Sequence, residues 1–112
     1  MKLPPRNKAK SDKADAGRRS PAHRAWVRLH QCSVPDCNGR PIECAHVRRS
    51  FNSGMGMKPS DAYTVSLCRD HHMESHMGEQ SFEAKHELDL LALAERFYRA
   101  SPHRSKLDDP YG

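Results

Sequence analysis

The sequence predicts a small α+β domain in which two short strands lead into a helix, with further helices on either side and a basic arm ahead of it. Three observations carry that prediction. Short β-rich runs between Cys32 and Cys68 are separated by turn-forming and Ser/Gly-rich stretches; beyond Cys68 the chain reads as helix as far as Tyr98; ahead of Pro21 it holds almost no large apolar group. A length of 112 residues suits one domain.

The arm comes first. Across residues 1–21 Leu3 is, after Met1, the one large apolar side chain, too little to offset the entropy of ordering, so this stretch is expected to be disordered until it meets a partner. The folded domain is then expected over residues 22–112. Residues 1–31 carry nine Lys/Arg against Asp12 and Asp15, a net +7, whereas the remainder carries −2. A basic arm on a near-neutral body suits a polyanion, whose neutralised phosphates release counterions, and equally suits a solvated tail. No apolar run approaches the ~18 residues of a membrane span, and no apolar stretch of a secretory signal follows the basic start. The expectation is a cytosolic protein.

The elements follow in order. Pro21–His30 is expected to form a short helix with Pro21 in its first turn and Trp26, Val27 and Leu29 partly inward. Val34–Gly39 is turn chemistry, with Asn38-Gly39 suited to positive φ in a tight hairpin. Pro41–Val47 reads as a strand, Phe51–Asp61 as a loop and Ala62–Leu67 as a second strand with β-branched and aromatic content. Arg69–Met77 is expected to be helical up to a stop at Gly78. Ser81 and Asp89 are candidate caps for two more helices, the second running through Leu90–Tyr98 with one apolar face.

Four cysteines in a short chain imply two disulfides or a metal site, and without a secretion signal the reducing compartment disfavours disulfides. Cys32-x4-Cys37 lies in a turn, and Cys68-x2-His71 sits where a strand runs into a helix. Two such pairs supply Cys3His tetrahedral ligation for a structural Zn²⁺. The fourth ligand is His71 or Cys44; the short Cys68-x2-His71 chelate favours His71, leaving Cys44 as a small core residue. His72 and His76, four apart on the helix, share a face and suit one cation. His46 lies on the preceding strand, where an imidazole near its ordinary pKa of ~6.5 can take a proton from water. A base, a cation-binding pair and a phosphodiester would make a hydrolytic nuclease site. His23, His30, His86 and His103 lack such context and read as surface or structural residues.

Taken together, Cys32-x4-Cys37, Ala45-His46-Val47-Arg48, Gly54-Met-Gly-Met-Lys58-Pro59-Ser60-Asp61 and Leu67-Cys68-Arg-Asp-His71-His72-x3-His76 resemble the HNH (ββα-metal) endonuclease family. Its phage and prophage members, similar to the phage recombination-enhancement (Ref) nuclease group, show the likeness best, over about residues 24–100. The resemblance implies a zinc-stapled ββα-metal domain that hydrolyses DNA, with His46 as general base and His72 and His76 holding Mg²⁺ or another divalent metal. It assigns Cys32, Cys37, Cys68 and His71 to the structural zinc, and Asp61 to orienting the base. Arg48, Arg49 and Lys58 are then candidates for gripping phosphates. The implied partners are DNA and a recombinase filament, in the cytoplasm of a bacterial host. The sequence departs from the family at Ala45, where many members carry a further metal ligand. That gap leaves a second reading open, a catalytically inactive zinc module that binds nucleic acid or a recombination partner.

Overall fold

A computed structural model describes residues 16–52 and 58–112. These form α1 (Pro21–Val27), β1 (Ile42–His46), β2 (Thr64–Cys68), α2 (Arg69–His76), α3 (Glu79–His86), α4 (Leu90–Ala100) and a closing 3-10 turn, Arg104–Lys106. The α+β class and the strand–loop–strand–helix order are those expected. β1 and β2 pair antiparallel, with Ile42 opposite Cys68 and His46 opposite Thr64. Among the described residues, no helix is long and apolar enough to cross a membrane.

All five residues of β2 are buried because both faces of the strand are covered. Val65 and Leu67, with Ala45 and Val47 of β1 and its extension, pack against Phe82, Leu90 and Ala94 of α3 and α4. The alternate face is polar, and every group on it finds a partner. Thr64 donates to the Asp61 carbonyl at 2.7 Å and Ser66 to the Gln31 carbonyl at 2.6 Å. The α1 residue His23 lies over this face, its Nε2 3.4 Å from Thr64 Oγ1 and its Nδ1 2.8 Å from Ser101 Oγ.

Local chemistry places the helix ends. Ser20 caps α1 by accepting the His23 N–H, and Pro21 occupies the first turn, where its missing N–H costs nothing. Because α1 ends at Val27, its inward positions are His23 and Val27, while Leu29 is 83% exposed; the expected inward Leu29 belongs to a longer helix than the one formed. Cys68 caps α2 and Asp89 caps α4 through Ala92 N. Gly78, at φ 151°, both ends α2 and opens α3, so Ser81 falls inside α3 rather than capping it. The 34–39 segment also differs from expectation. Asp36, not Asn38 or Gly39, takes positive φ (64°), and the segment is a knuckle preceding the sheet rather than a hairpin within it.

The amino-terminal boundary shifts as well. Residues 16–21, assigned to the arm by composition, are built into the fold: the Arg18 carbonyl accepts from Asp61 N at 2.8 Å, and the Gly17 carbonyl accepts from Asp108 N at 2.8 Å. The rest of the expected arm, and Gly54–Met57 of the loop motif, lie outside the described residues.

Candidate metal centre and histidine pair

The knuckle delivers Cys32 and Cys37; the junction of β2 and α2 delivers Cys68 and His71. All four cysteines are free. Cys32, Cys37, Cys68 and His71 bring one ligating atom each to within 4.8 Å of one another, a group that could hold a metal ion. His71 Nδ1 lies 3.4, 3.5 and 3.3 Å from the three sulfurs, and the Cys37 and Cys68 sulfurs are 3.9 Å apart. A tetrahedral ion at ordinary Zn–thiolate and Zn–imidazole lengths would set these edges at about 3.6 Å and about 3.8 Å. The donor set therefore fits such an ion. Burial pushes the Cys32 thiol up to about 11, so loading this site displaces protons from the sulfurs.

Two backbone features complete the nest. The Gly39 N–H donates to Cys37 Sγ at 3.3 Å, and the His71 N–H donates to Cys68 Sγ at 3.5 Å. A Cβ on Gly39 would lie 2.9 Å from Cys68 Sγ and 3.3 Å from Cys37 Sγ. Glycine is thus required here by close approach, not by its φ. Cys44 is not in the cluster. It sits on β1 opposite Ser66, and burial raises its thiol to about 11. The alternative left open by spacing resolves to His71.

His46 and Asp61 form a second centre. Asp61 is fully buried, and accepts from His46 Nε2 at 2.8 Å, Arg24 Nη1 at 2.6 Å and Ser20 N at 2.8 Å. Burial alone would raise this carboxyl; the bonds from His46 and Ser20 and the Arg24 charge outweigh it and leave the pKa below the ordinary value. Facing a carboxylate, a neutral His46 ring would hold its proton on Nε2 and leave the lone pair on Nδ1.

The third feature is the histidine pair on α2. His72 Nε2 and His76 Nε2 stand 3.1 Å apart, and His72 Nδ1 meets Glu43 Oε1 at 2.8 Å. The bond from His72 holds the Glu43 carboxyl below its usual range. Pleating puts Glu43 and His46 on opposite faces of β1. Among the described residues, the two compact groups of potential ligands contain neither His46 nor the His72/His76 pair. The three imidazoles are therefore presented as a pair and a single ring, not as one cluster.

Of the expected phosphate contacts, Arg48 is exposed and lines a 460 Å³ cleft with Arg49, Ser75, His76, Glu79 and Gln80. The Arg49 guanidinium is engaged by Glu79 and, at 2.9 Å, by Glu83. Lys58 is exposed, while its carbonyl takes the Arg18 side chain. Sequence reasoning missed Glu43, and it gave His86 no ligand role, reading it as a surface or structural residue. His86 Nε2 meets Glu74 at 2.7 Å, its ring lies 5.0 Å from that of His71, and these three residues form the other compact ligand group. Neither pairing has a signature in spacing, since both cross between elements.

A family described as "Protein of unknown function (DUF968)" matches residues 5–102. The chain belongs to the DUF968 family. It is also 32% identical over 94 residues to the "Uncharacterized protein YdfU" of Escherichia coli K12, covering 81% of this chain. The chain spans about a quarter (24%) of the length of that relative, so this member corresponds to one portion of a larger protein there. No solved structure matches the chain significantly.

Proposed function

We propose that this DUF968 member is a metal-dependent DNA endonuclease of the HNH type, stapled by zinc at Cys32, Cys37, Cys68 and His71. Thiolate-rich tetrahedral sets suit zinc, which supports that ion for the staple. The observation that carries the reading is the pair of Nε2 atoms, 3.1 Å apart, presented on the helix that the Cys3His cluster anchors. A divalent cation such as Mg²⁺ bound there would supply electrostatic stabilisation to a phosphate and its leaving oxygen. His46, its Nε2 proton directed at Asp61, keeps Nδ1 as the atom that takes a proton from water. Asp61 would stabilise the imidazolium that results. Arg48 and Lys58 supply cationic side chains for the DNA backbone, whereas Arg49 is occupied by carboxylates.

Plasmid nicking tests the reading. Supercoiled DNA with Mg²⁺ or Mn²⁺ is expected to be cut, EDTA to stop cutting, and His46→Ala to slow it by about 10²–10⁴-fold with zinc content unchanged. Parent-like nicking by that variant would remove His46 from the reaction.

A second reading, a non-cutting zinc module for nucleic acid or a recombination partner, is favoured by one observation: His46 and the Glu43–His72 contact lie on opposite faces of β1. Retention of DNA without cleavage, with or without a recombinase filament present, is its expected result in the same assay.

A further inference from the structure

We propose that Glu43 is the positioning residue of the His72/His76 pair: its carboxylate accepts a hydrogen bond from the Nδ1–H of His72 and leaves the Nε2 lone pair aimed at His76. This inference rests on reading that pair as a cation site.

The geometry is specific. Glu43 Oε1 lies 2.8 Å from His72 Nδ1, and Glu43 Oε2 lies 3.6 Å from Arg69 Nε. Each neutral imidazole has one N–H and one lone pair, and a carboxylate accepts only. With its Nδ1 proton committed to Glu43, His72 can offer Nε2 only as a donor of electrons. That atom is the one 3.1 Å from His76 Nε2. A carboxylate behind a ligating imidazole also makes the ring more basic and fixes its plane.

Strand pleating explains why Glu43 is available. Glu43 and Ala45 share a face of β1, where Ala45 is buried against the core and holds no donor atom. The strand's acidic contribution to α2 thus enters two residues earlier, and from behind His72. Glu43, His72 and His76 are not among the described groups whose ligating atoms all fall within 4.8 Å of one another, which fits an outer role rather than a third ligand.

The test uses the zinc-loaded full chain, labelled with ¹⁵N-histidine, with Ni²⁺ as the probe metal. Long-range nitrogen–proton spectra of the metal-free pair are expected to show His72 with its proton on Nδ1. Glu43→Ala is expected to move that proton toward Nε2 and to weaken Ni²⁺ binding by about 10–100-fold. Glu43→Gln, whose side-chain oxygen still accepts, is expected to restore the Nδ1–H form and part of the affinity. Zinc content is expected to stay at the parental value in both, while Glu43→Ala, which removes a contact that docks α2, lowers the melting temperature and Glu43→Gln restores part of it. An unchanged His72 tautomer in Glu43→Ala overturns the role of Glu43 even where the parent binds Ni²⁺. A parent with the Nδ1–H tautomer that takes up no Ni²⁺, or whose uptake survives His76→Ala, overturns the cation site itself and the proposal with it.

Discussion

Asp61 and His23 show how single buried polar residues tune this molecule. Asp61 neutralises Arg24 and holds His46, while His23 spans from Thr64 to Ser101 beneath α1. Desolvation is the largest influence on His23 and lowers its pKa below 6.5, against an opposing pull from Asp61. A folded pKa below the unfolded one means that the unfolded chain binds the extra proton first. The His23 contribution to stability is therefore complete above pH 6.5 and is lost as pH falls toward the lower, folded value. Urea unfolding at pH 7.5 and pH 5.5 is expected to show the loss. His23→Gln keeps hydrogen bonding to both hydroxyls without titrating, and is expected to flatten that pH dependence; an equal slope in the variant would place the acid sensitivity elsewhere.

At the scale of elements, α2 is the weak member. Its sequence, RDHHMESH, buries only Ser75 and leaves its one large apolar residue, Met73, 63% exposed. Apolar burial therefore does little to dock this helix. Its attachment comes from Cys68 and His71 at the amino end, Glu43 against His72, and Glu74 against Lys85 and His86 of α3. An ion held by the Cys3His group would couple metal binding to the docking of this helix. With the Cys3His group loaded with zinc, as proposed, a chelator is expected to strip helical circular dichroism and lower the melting temperature. Gly39→Ala is expected to do the same in part, because its methyl would intrude on Cys68 Sγ and Cys37 Sγ. Metal content near parental in Gly39→Ala, with an unchanged melt, would show that the knuckle yields without cost.

Over the whole molecule, three basic residues ahead of β1 are engaged by the fold in a way that composition cannot show. Arg18, Arg19 and Arg24 are turned inward: Arg18 reaches the Lys58 carbonyl, Arg19 the Pro59 carbonyl at 2.7 Å, and Arg24 the Asp61 carboxylate. Together they tie the start of the fold to the segment that leads into β2. Lys2, Arg6, Lys8, Lys10 and Lys13 precede the described fold. Under the proposed DNA-binding role, truncation to Ala16 is expected to reduce the salt dependence of binding, by close to one unit of slope for each lost phosphate contact. Arg24→Ala is expected instead to lower stability by about 1–3 kcal/mol, because it removes one of several partners of a buried carboxylate. Fluorescence anisotropy across a salt series and denaturant melts separate the two effects.

Much of the fold was legible because its signals are local. Turn residues, β-branched runs, the Asp89 cap and the Pro21 position each act within a few residues of where they stand. The Cys32/Cys37 and Cys68/His71 pairs were legible for the same reason, since chelate spacing is written along the chain. Gly39 reads from the sequence as a positive-φ turn residue, whereas its close approach to Cys68 is a contact across 29 residues of sequence.

What the sequence by itself determined is the order of the elements, the α+β class and the thiolate-rich ligand set. Only the tertiary structure decided between His71 and Cys44, turned His46 toward Asp61, placed Glu43 behind His72 and drew the arginines at 18, 19 and 24 into the fold. The physical reason is common to all four. Each depends on which face of a strand or helix a side chain occupies after packing, and on a partner supplied by another element, neither of which is encoded by neighbouring residues.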